Sequence, residues 1–342
     1  MRKLNVALAS CALLAGCGGG DSGGGKVEIP AVTPTPTASP SPTPTPTPAS
    51  PFYLSLAPNP GASVSFDIAD FIGFQYNGDP ATGQILAGSP TSGENPRVAF
   101  KYDQATQSYT LVTLDLVTQQ ERFILFSTPL SATNPSYSDA RFLGYSGSTF
   151  GNNATGIFRL YRSGNANPDL KLSYSGFGNL SRSGPSGYLN FADSWFGYGI
   201  ATKWGDVPAS GTSTYSGVLH GFAVDTAAGQ QYKVEGTASL NLDFATQKLS
   251  GTLNMTLVSK SGARTSLGVS SFSGADFGSL PGTATNFRAN TLTGSDLPYG
   301  VMQGMLYGPR AVEISGVFAG TISRGSTVGG ITAQGGFAVV KN

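Results

Sequence analysis

Residues 234–258 read VEGTASLNLDFATQKLSGTLNMTLV, and Tyr232 stands two places before them. Tyr232, Val234, Ala238, Leu240, Leu242 and Phe244 occupy even positions, and Thr237, Ser239, Asn241 and Asp243 the odd ones. After Ala245, Thr246 and Gln247 the phase inverts. Leu249, Leu253, Met255 and Leu257 are odd, while Ser250, Thr252, Asn254 and Thr256 are even. A period of two over this length specifies two half-buried antiparallel strands joined by a short loop. One face is apolar and the other is rich in hydroxyls and amides. The fold class is therefore all-β, with one wet side to the sheet.

The pattern extends on both sides. Residues 212–224 form a strand candidate that runs into a turn at 225–229. The hairpin follows, and then candidates at 264–272, 284–288, 301–306, 313–322 and 335–340. Eight antiparallel strands close naturally into a small barrel that its own side chains fill, and closure removes exposed edges. Upstream, Val98, Phe100 and Tyr102 alternate with Arg97, Ala99 and Lys101. The turn 103–107 then leads to a second strand at 109–117, which makes another hairpin. Further candidates are 122–126, 157–161, 170–174 and 188–191; the apolar patch 64–74 is ambiguous between strand and helix. The aromatic run Phe177, Tyr188, Phe191, Trp195, Phe196, Tyr198 and Trp204 reads as core at a junction or as a contact surface.

Composition narrows the chemistry. The chain has 342 residues, 11% charged, and a formal net charge of +1. It carries no basic stripe of the kind a nucleic acid demands. The two cysteines, Cys11 and Cys17, both lie at the extreme N-terminus, and His220 is the one histidine. A disulfide, a thiol nucleophile or a cysteine metal site in the body is thereby excluded. There is no G-x-S-x-G elbow, no phosphate-cradling loop before a helix, and no carboxylate pair at a spacing that argues for hydrolysis. The expectation is a protein that is not an enzyme and carries no cofactor.

Met1, Arg2 and Lys3 precede an apolar stretch at 4–14, too short for a helix that spans a bilayer, which takes about 20 residues. It ends Leu14-Ala15-Gly16-Cys17 and resembles a bacterial lipoprotein signal. That resemblance implies cleavage after residue 16, acylation of Cys17, and an outer-membrane anchor. Glycines follow at 18–25, then a Pro/Thr/Ser tract at 30–51. Alternate prolines favour polyproline II at ~3.1 Å per residue, a semi-rigid spacer of roughly 70 Å.

A family resemblance enters at Gly304-Met305-Leu306-Tyr307-Gly308-Pro309-Arg310-Ala311-Val312-Glu313 followed by Gly316-Val317-Phe318-Ala319-Gly320. This resembles the G-x-F-Y-G-P-x-A-x-E-x-G-G-x-F signature of the transferrin-binding protein B type β-barrel, with Leu306 for Phe and Ser315 for the first Gly of the pair. Residues 210–217, SGTSTYSG, are similar to the opening SGTAxYxG; 237–253 are similar to the strand pair VNxDFxxxxLSGTL; 336–340 are loosely like the closing strand.

The resemblance implies a handle-like β domain at 52–203 and an eight-stranded barrel at 204–342, after a signal at 1–16 and a linker at 17–51. It also implies a surface lipoprotein that captures an iron- or haem-carrying protein, haem or another solute for an outer-membrane transporter. A structural or adhesive envelope protein is the other class this chain could belong to. The candidate ligand-binding residues are Trp195, Tyr198 and His220. His220 lies in a strand, where a packed or hydrogen-bonded role competes with axial haem ligation. A membrane-embedded barrel would require an outward apolar belt on every strand.

Overall fold

The structure is a computed structural model and describes residues 55–56, 61–78, 85–91, 99–114, 121–129, 139–149, 155–165, 167–183, 189–278, 285–290, 292–294, 299–324 and 327–342. The signal, Cys11, Cys17 and the linker lie outside the described residues. Two antiparallel sheets follow one another along the chain.

The first sheet holds β1 (Val64–Gly78), β2 (Ile85–Thr91), β3 (Ala99–Asp103), β4 (Ser108–Leu114), β5 (Glu121–Pro129), β6 (Phe142–Thr149), β7 (Thr155–Tyr161), β8 (Ser175–Ser183) and β9 (Leu189–Gly199). Strands β3 to β9 pair in sequence, and β1 pairs with both β3 and β9, so the sheet closes on itself with β2 appended to β1. Its core is aromatic: Phe66, Phe100, Tyr109, Phe158, Phe196 and Tyr198 are buried together. Phe100 meets Phe158, Phe196 and Tyr198 edge-on at 5.1–5.6 Å, the arrangement that ring quadrupoles favour.

The second sheet holds β10 (Thr212–Asp225), β11 (Gln230–Asp243), β12 (Lys248–Val258), β13 (Arg264–Asp276), β14 (Asn286–Ala289), β15 (Thr293–Gly294), β16 (Tyr299–Tyr307), β17 (Glu313–Arg324) and β18 (Thr327–Lys341). The eight expected strands all form, and β15 adds a two-residue pairing on β13. The sheet runs β14-β16-β17-β18-β10-β11-β12-β13-β15 and curls until β13 meets β14. A bridge from Phe277 to Phe287 and a Gly278 N–H bond to the Asn286 carbonyl (3.2 Å) join those edges.

The hairpin of β11 and β12 pairs Val234 with Leu257 and Leu242 with Leu249, so the apolar residues of both strands share the inner face. Leu219, Leu253, Met255, Met302, Phe318 and Phe337 fill the interior almost without solvent exposure. Each such side chain contributes about 1.5–3 kcal/mol through burial. Outward on β10 to β13, Thr214, Ser216, Ser239, Asn241, Thr252, Asn254 and Ser271 are exposed. Among the described residues the one large exposed hydrophobic is Val269, at 54%, so these strands carry no apolar belt.

Three hairpins use one turn chemistry. Asp103, Asp225 and Asp243 each turn Oδ1 back to a backbone N–H two or three residues on: Thr106 at 3.0 Å, Ala228 at 2.9 Å, and Ala245 and Thr246 at 2.9 and 3.2 Å. The last turn residue then takes positive φ: Gln107 at 51°, Gly229 at 62° and Gln247 at 55°.

The sequence expectations need three corrections. Residues 64–74 lie within strand β1. Residues 170–174 are not a strand, because their backbone donors are turned elsewhere, as described below. Strands β2, β6 and β8 were not expected: their Gly- and Ser-rich segments, such as FLGYSGST and SGFGNLSRS, show no clean alternation.

Candidate functional site

The segment 304–320 is where the two sheets are fastened. Glu313, at the start of β17, is buried, and its carboxylate accepts four hydrogen bonds from the first sheet's side. The N–H of Ser173 donates to Oε1 at 2.6 Å. The N–H groups of Tyr174 and Ser175 and the Ser175 hydroxyl donate to Oε2 at 2.9, 2.8 and 2.8 Å. This is why 170–174 does not pair as a strand. Burial pushes the Glu313 carboxyl above the usual carboxylate range, and the donated bonds pull the other way.

Around Glu313, Thr202 donates its N–H to the Leu306 carbonyl (2.9 Å), and Gly308 donates to the Ile200 carbonyl (2.9 Å). Gly308 has φ 72° with extended ψ, a conformation restricted to glycine. Ser315 Oγ lies 2.6 Å from the Gly176 carbonyl of β8, so the hydroxyl at this position gives the first sheet a donor. Gly197 of β9 lies on Gly316 of β17 so closely that a Cβ on Gly197 would stand 2.6 Å from the Gly316 Cα. Phe177 and Trp195 pack against Val317 and Ala338 in a shared core. Strands β16, β17 and β18 are consequently buried on both faces over much of their length.

Beside this joint lies a cavity of about 350 Å³, which the first sheet lines with Asp139, Arg141, Phe142, Arg159 and Trp195, and the second with His220, Phe222, Lys233 and Glu235. Two of the three sequence candidates, Trp195 and His220, therefore meet there. Tyr198 does not: it is buried in the first sheet's aromatic core, where burial pushes its phenol well up and disfavours the phenolate an iron ligand requires.

The charges that sequence reasoning passed over are paired. Arg141 Nε donates to Asp169, Arg159 stands 3.5 Å from Asp139 and 4.6 Å from the Phe142 ring centre, and Arg264 meets Glu235 at 3.0 Å. A broader, open depression of about 820 Å³ lies elsewhere, on the hydroxyl-rich outer face of β10 to β13, and its walls hold no charged residue.

His220 is a packed residue. Its ring lies 5.4 Å edge-on from Phe142, 5.8 Å from Tyr161 and 6.2 Å from Phe177, and its Nε2 is buried, 4.0 Å from Asp169 Oδ2, without a hydrogen bond. That enclosure closes Nε2 to a haem iron. Burial, with Arg141 adding repulsion, drops the imidazole from 6.5 to about 4.

The sign of the pH effect follows. The unfolded chain takes up a proton near pH 6.5 that the folded chain refuses until about pH 4. His220 leaves stability untouched above pH 6.5 and lowers it as pH falls through that window, by about 3 kcal/mol at full effect. His220→Phe is expected to hold stability within about 1 kcal/mol at pH 7 and to flatten that acid loss. Denaturant melts of both proteins at pH 7 and 4.5 measure the difference, and equal pH slopes would refute it.

Among the described residues no three His, Cys, Asp or Glu side chains gather as a metal site. The arrangement offers a polar-walled recess beside the contacts that join the two sheets.

Residues 207–335 match the family model described as the C-lobe and N-lobe β-barrels of Tf-binding protein B. Curated protein sequences give no match. Among solved structures, a double alanine variant of transferrin-binding protein B from Haemophilus parasuis is 13% identical, with TM-score 0.36, covering 82% of this chain and 76% of that one. The intact N and C lobes of another such protein, Ap-TbpB, are also 13% identical, with TM-score 0.35 and coverages of 83% and 80%. HpuA from Kingella denitrificans, solved with human haemoglobin, is 14% identical, with TM-score 0.32 and coverages of 85% and 94%. Over residues 207–335 the second sheet of this chain is similar to the β-barrels of transferrin-binding protein B.

Proposed function

We propose that this chain is a lipid-anchored surface protein that captures an iron-carrying host protein for uptake by an outer-membrane transporter, and is not an enzyme. The match of residues 207–335 to the barrels of a transferrin binder carries this reading. The barrel interior is filled by Leu253, Met255, Phe318 and Phe337, so a ligand is taken on the outside of the body. The division of labour follows the sequence. Cys17 carries the acyl anchor, 17–51 is the spacer, 52–203 the handle and 204–342 the barrel. Haem alone is the less favoured ligand, since His220 Nε2 is enclosed and burial raises the phenols of Tyr198 and Tyr215.

The test is interferometry on the chain from residue 17 onward carrying Cys17→Ala. Immobilised protein is presented with iron-loaded transferrin, apo-transferrin and haemoglobin, and a separate absorption titration adds haem. Saturable one-to-one binding of an iron protein with a flat Soret titration is the expected result. Failure with all of these would favour a structural or adhesive envelope role. A pull-down from outer membranes then looks for the transporter.

A further inference from the structure

The cavity between the sheets has polar walls on both sides. On the first sheet Arg159, Asn179 and Trp195 are cross-strand neighbours, and Ser181 follows on the same face of β8, opposite Ile157. On the second, Gln231, Lys233 and Glu235 alternate along β11 and share one face, spaced by about 7 Å. Trp195 takes no part in binding, since its Nε1 is enclosed, as is His220 Nε2.

The groups left open on these walls are of both kinds. Among the described residues the Ser181 hydroxyl, the Gln231 amide and Asn179 Oδ1 have no hydrogen-bond partner in the protein. Glu235 gives Oε2 to Arg264 and keeps Oε1 open. Lys233 is exposed, and among the described residues no carboxylate stands within ion-pair distance of it. A hydroxyl and an amide each donate and accept. The water they hold is displaced without loss only by a ligand that donates and accepts in return.

The charges disfavour an ion. An anion would meet Asp139 and Glu235, and a cation would meet Arg141, Arg159 and Lys233. Both carboxylates already hold an arginine, Asp139 with Arg159 at 3.5 Å and Glu235 with Arg264 at 3.0 Å, so neither calls for a cationic group. A neutral, hydroxyl-rich ligand remains. Ile157 and Phe222, each half-buried, add one apolar side chain to each wall, against which the C–H groups of a ring can lie. The volume, about 350 Å³, falls at the small end of ligand sites.

We propose that this cavity binds a neutral saccharide of one or two rings. Its hydroxyls donate to Asn179 Oδ1 and Glu235 Oε1, accept from Lys233, and do both with Gln231 and Ser181, while its C–H face lies against Phe222. The site is separate from the capture of an iron protein, and failure of that capture would leave it standing.

The chain from residue 17 onward with Cys17→Ala is labelled with nitrogen-15, and glucose, galactose and N-acetylglucosamine are each titrated to tens of millimolar. At least one is expected to shift the Gln231 side-chain amide signals saturably, and Gln231→Leu assigns those signals by their loss. In Gln231→Leu and in Ser181→Ala, followed at the Asn179 amide, the same sugar is expected to bind about tenfold more weakly. Both side chains are partly exposed and unbonded within the protein, so the melting temperatures stay put. The uronate of that sugar, which adds a carboxylate, is expected to bind about tenfold more weakly as well. No saturable shift from any of the three sugars, an equal response to the uronate, or unchanged affinity in either variant would each overturn the proposal.

Discussion

Glu313→Ala is expected to destabilise the folded body by about 4 kcal/mol, and to do so at the joint between the sheets. The side chain is the acceptor for three backbone N–H groups and one hydroxyl of Ser173, Tyr174 and Ser175. Removing it strands all four donors in a buried place, at about 1–3 kcal/mol for each that finds no water. Glu313→Gln is expected to fall between. Its carbonyl oxygen can serve the three donors of Oε2, but its amide then faces the Ser173 N–H, donor against donor. The order wild type, Gln, Ala in urea melts checks this. Hydrogen exchange at the amides of Ser173 to Ser175 locates the damage. An alanine variant within about 1 kcal/mol of wild type would mean that the clamp adds little.

The second large effect is steric. Gly197→Ala places a methyl 2.6 Å from both the Cα and the N of Gly316, and 3.0 Å from the Ser315 carbonyl carbon. These are backbone atoms of a strand paired on both sides, so no rotamer change relieves the clash and the sheets must separate. A cost of about 3 kcal/mol is expected, with Gly197→Val worse. Gly205→Ala is the control, since a Cβ there meets nothing within 4 Å, and a change under about 0.5 kcal/mol is expected. Because Gly197 contacts the second sheet from the first, the barrel's own core survives the change. Amide exchange should therefore loosen at 173–177 and 194–199 while Leu253 and Met255 stay protected. Uniform loosening of both sheets would contradict a local wedge.

The hairpin at 234–258 was legible because one of its faces meets water and the other does not, and the sequence alternates accordingly. Where a strand is covered on both sides the cue disappears. Strands β16 to β18 were found by motif and by apolar content, and the pairing of β17 with a second sheet left no period to read. Residues 170–174 look like a strand because Leu170, Leu172 and Tyr174 alternate, yet their donors serve a carboxylate 140 residues away in sequence for Ser173. A signal for that did exist: Glu313 is a lone charge in the run Ala311-Val312-Glu313-Ile314-Ser315, and a buried charge requires partners. Trp195 and His220 could be named from residue type, but no local pattern says that β9 and β10 bring them to one cavity. Lys233, Glu235 and Gln231 share a strand face, which reads as a solvated edge until the first sheet is laid beside it.

The contact of Gly197 with Gly316 has no side chain to pivot on, and backbone against backbone leaves no room for rolling. Together with the Glu313 clamp it fastens β9 and the segment leading into β8 to β17. Fluorescence anisotropy from a probe on β4 and from a probe on β12 would decay with the same slow correlation time, and a partner bound at either place would lengthen both alike.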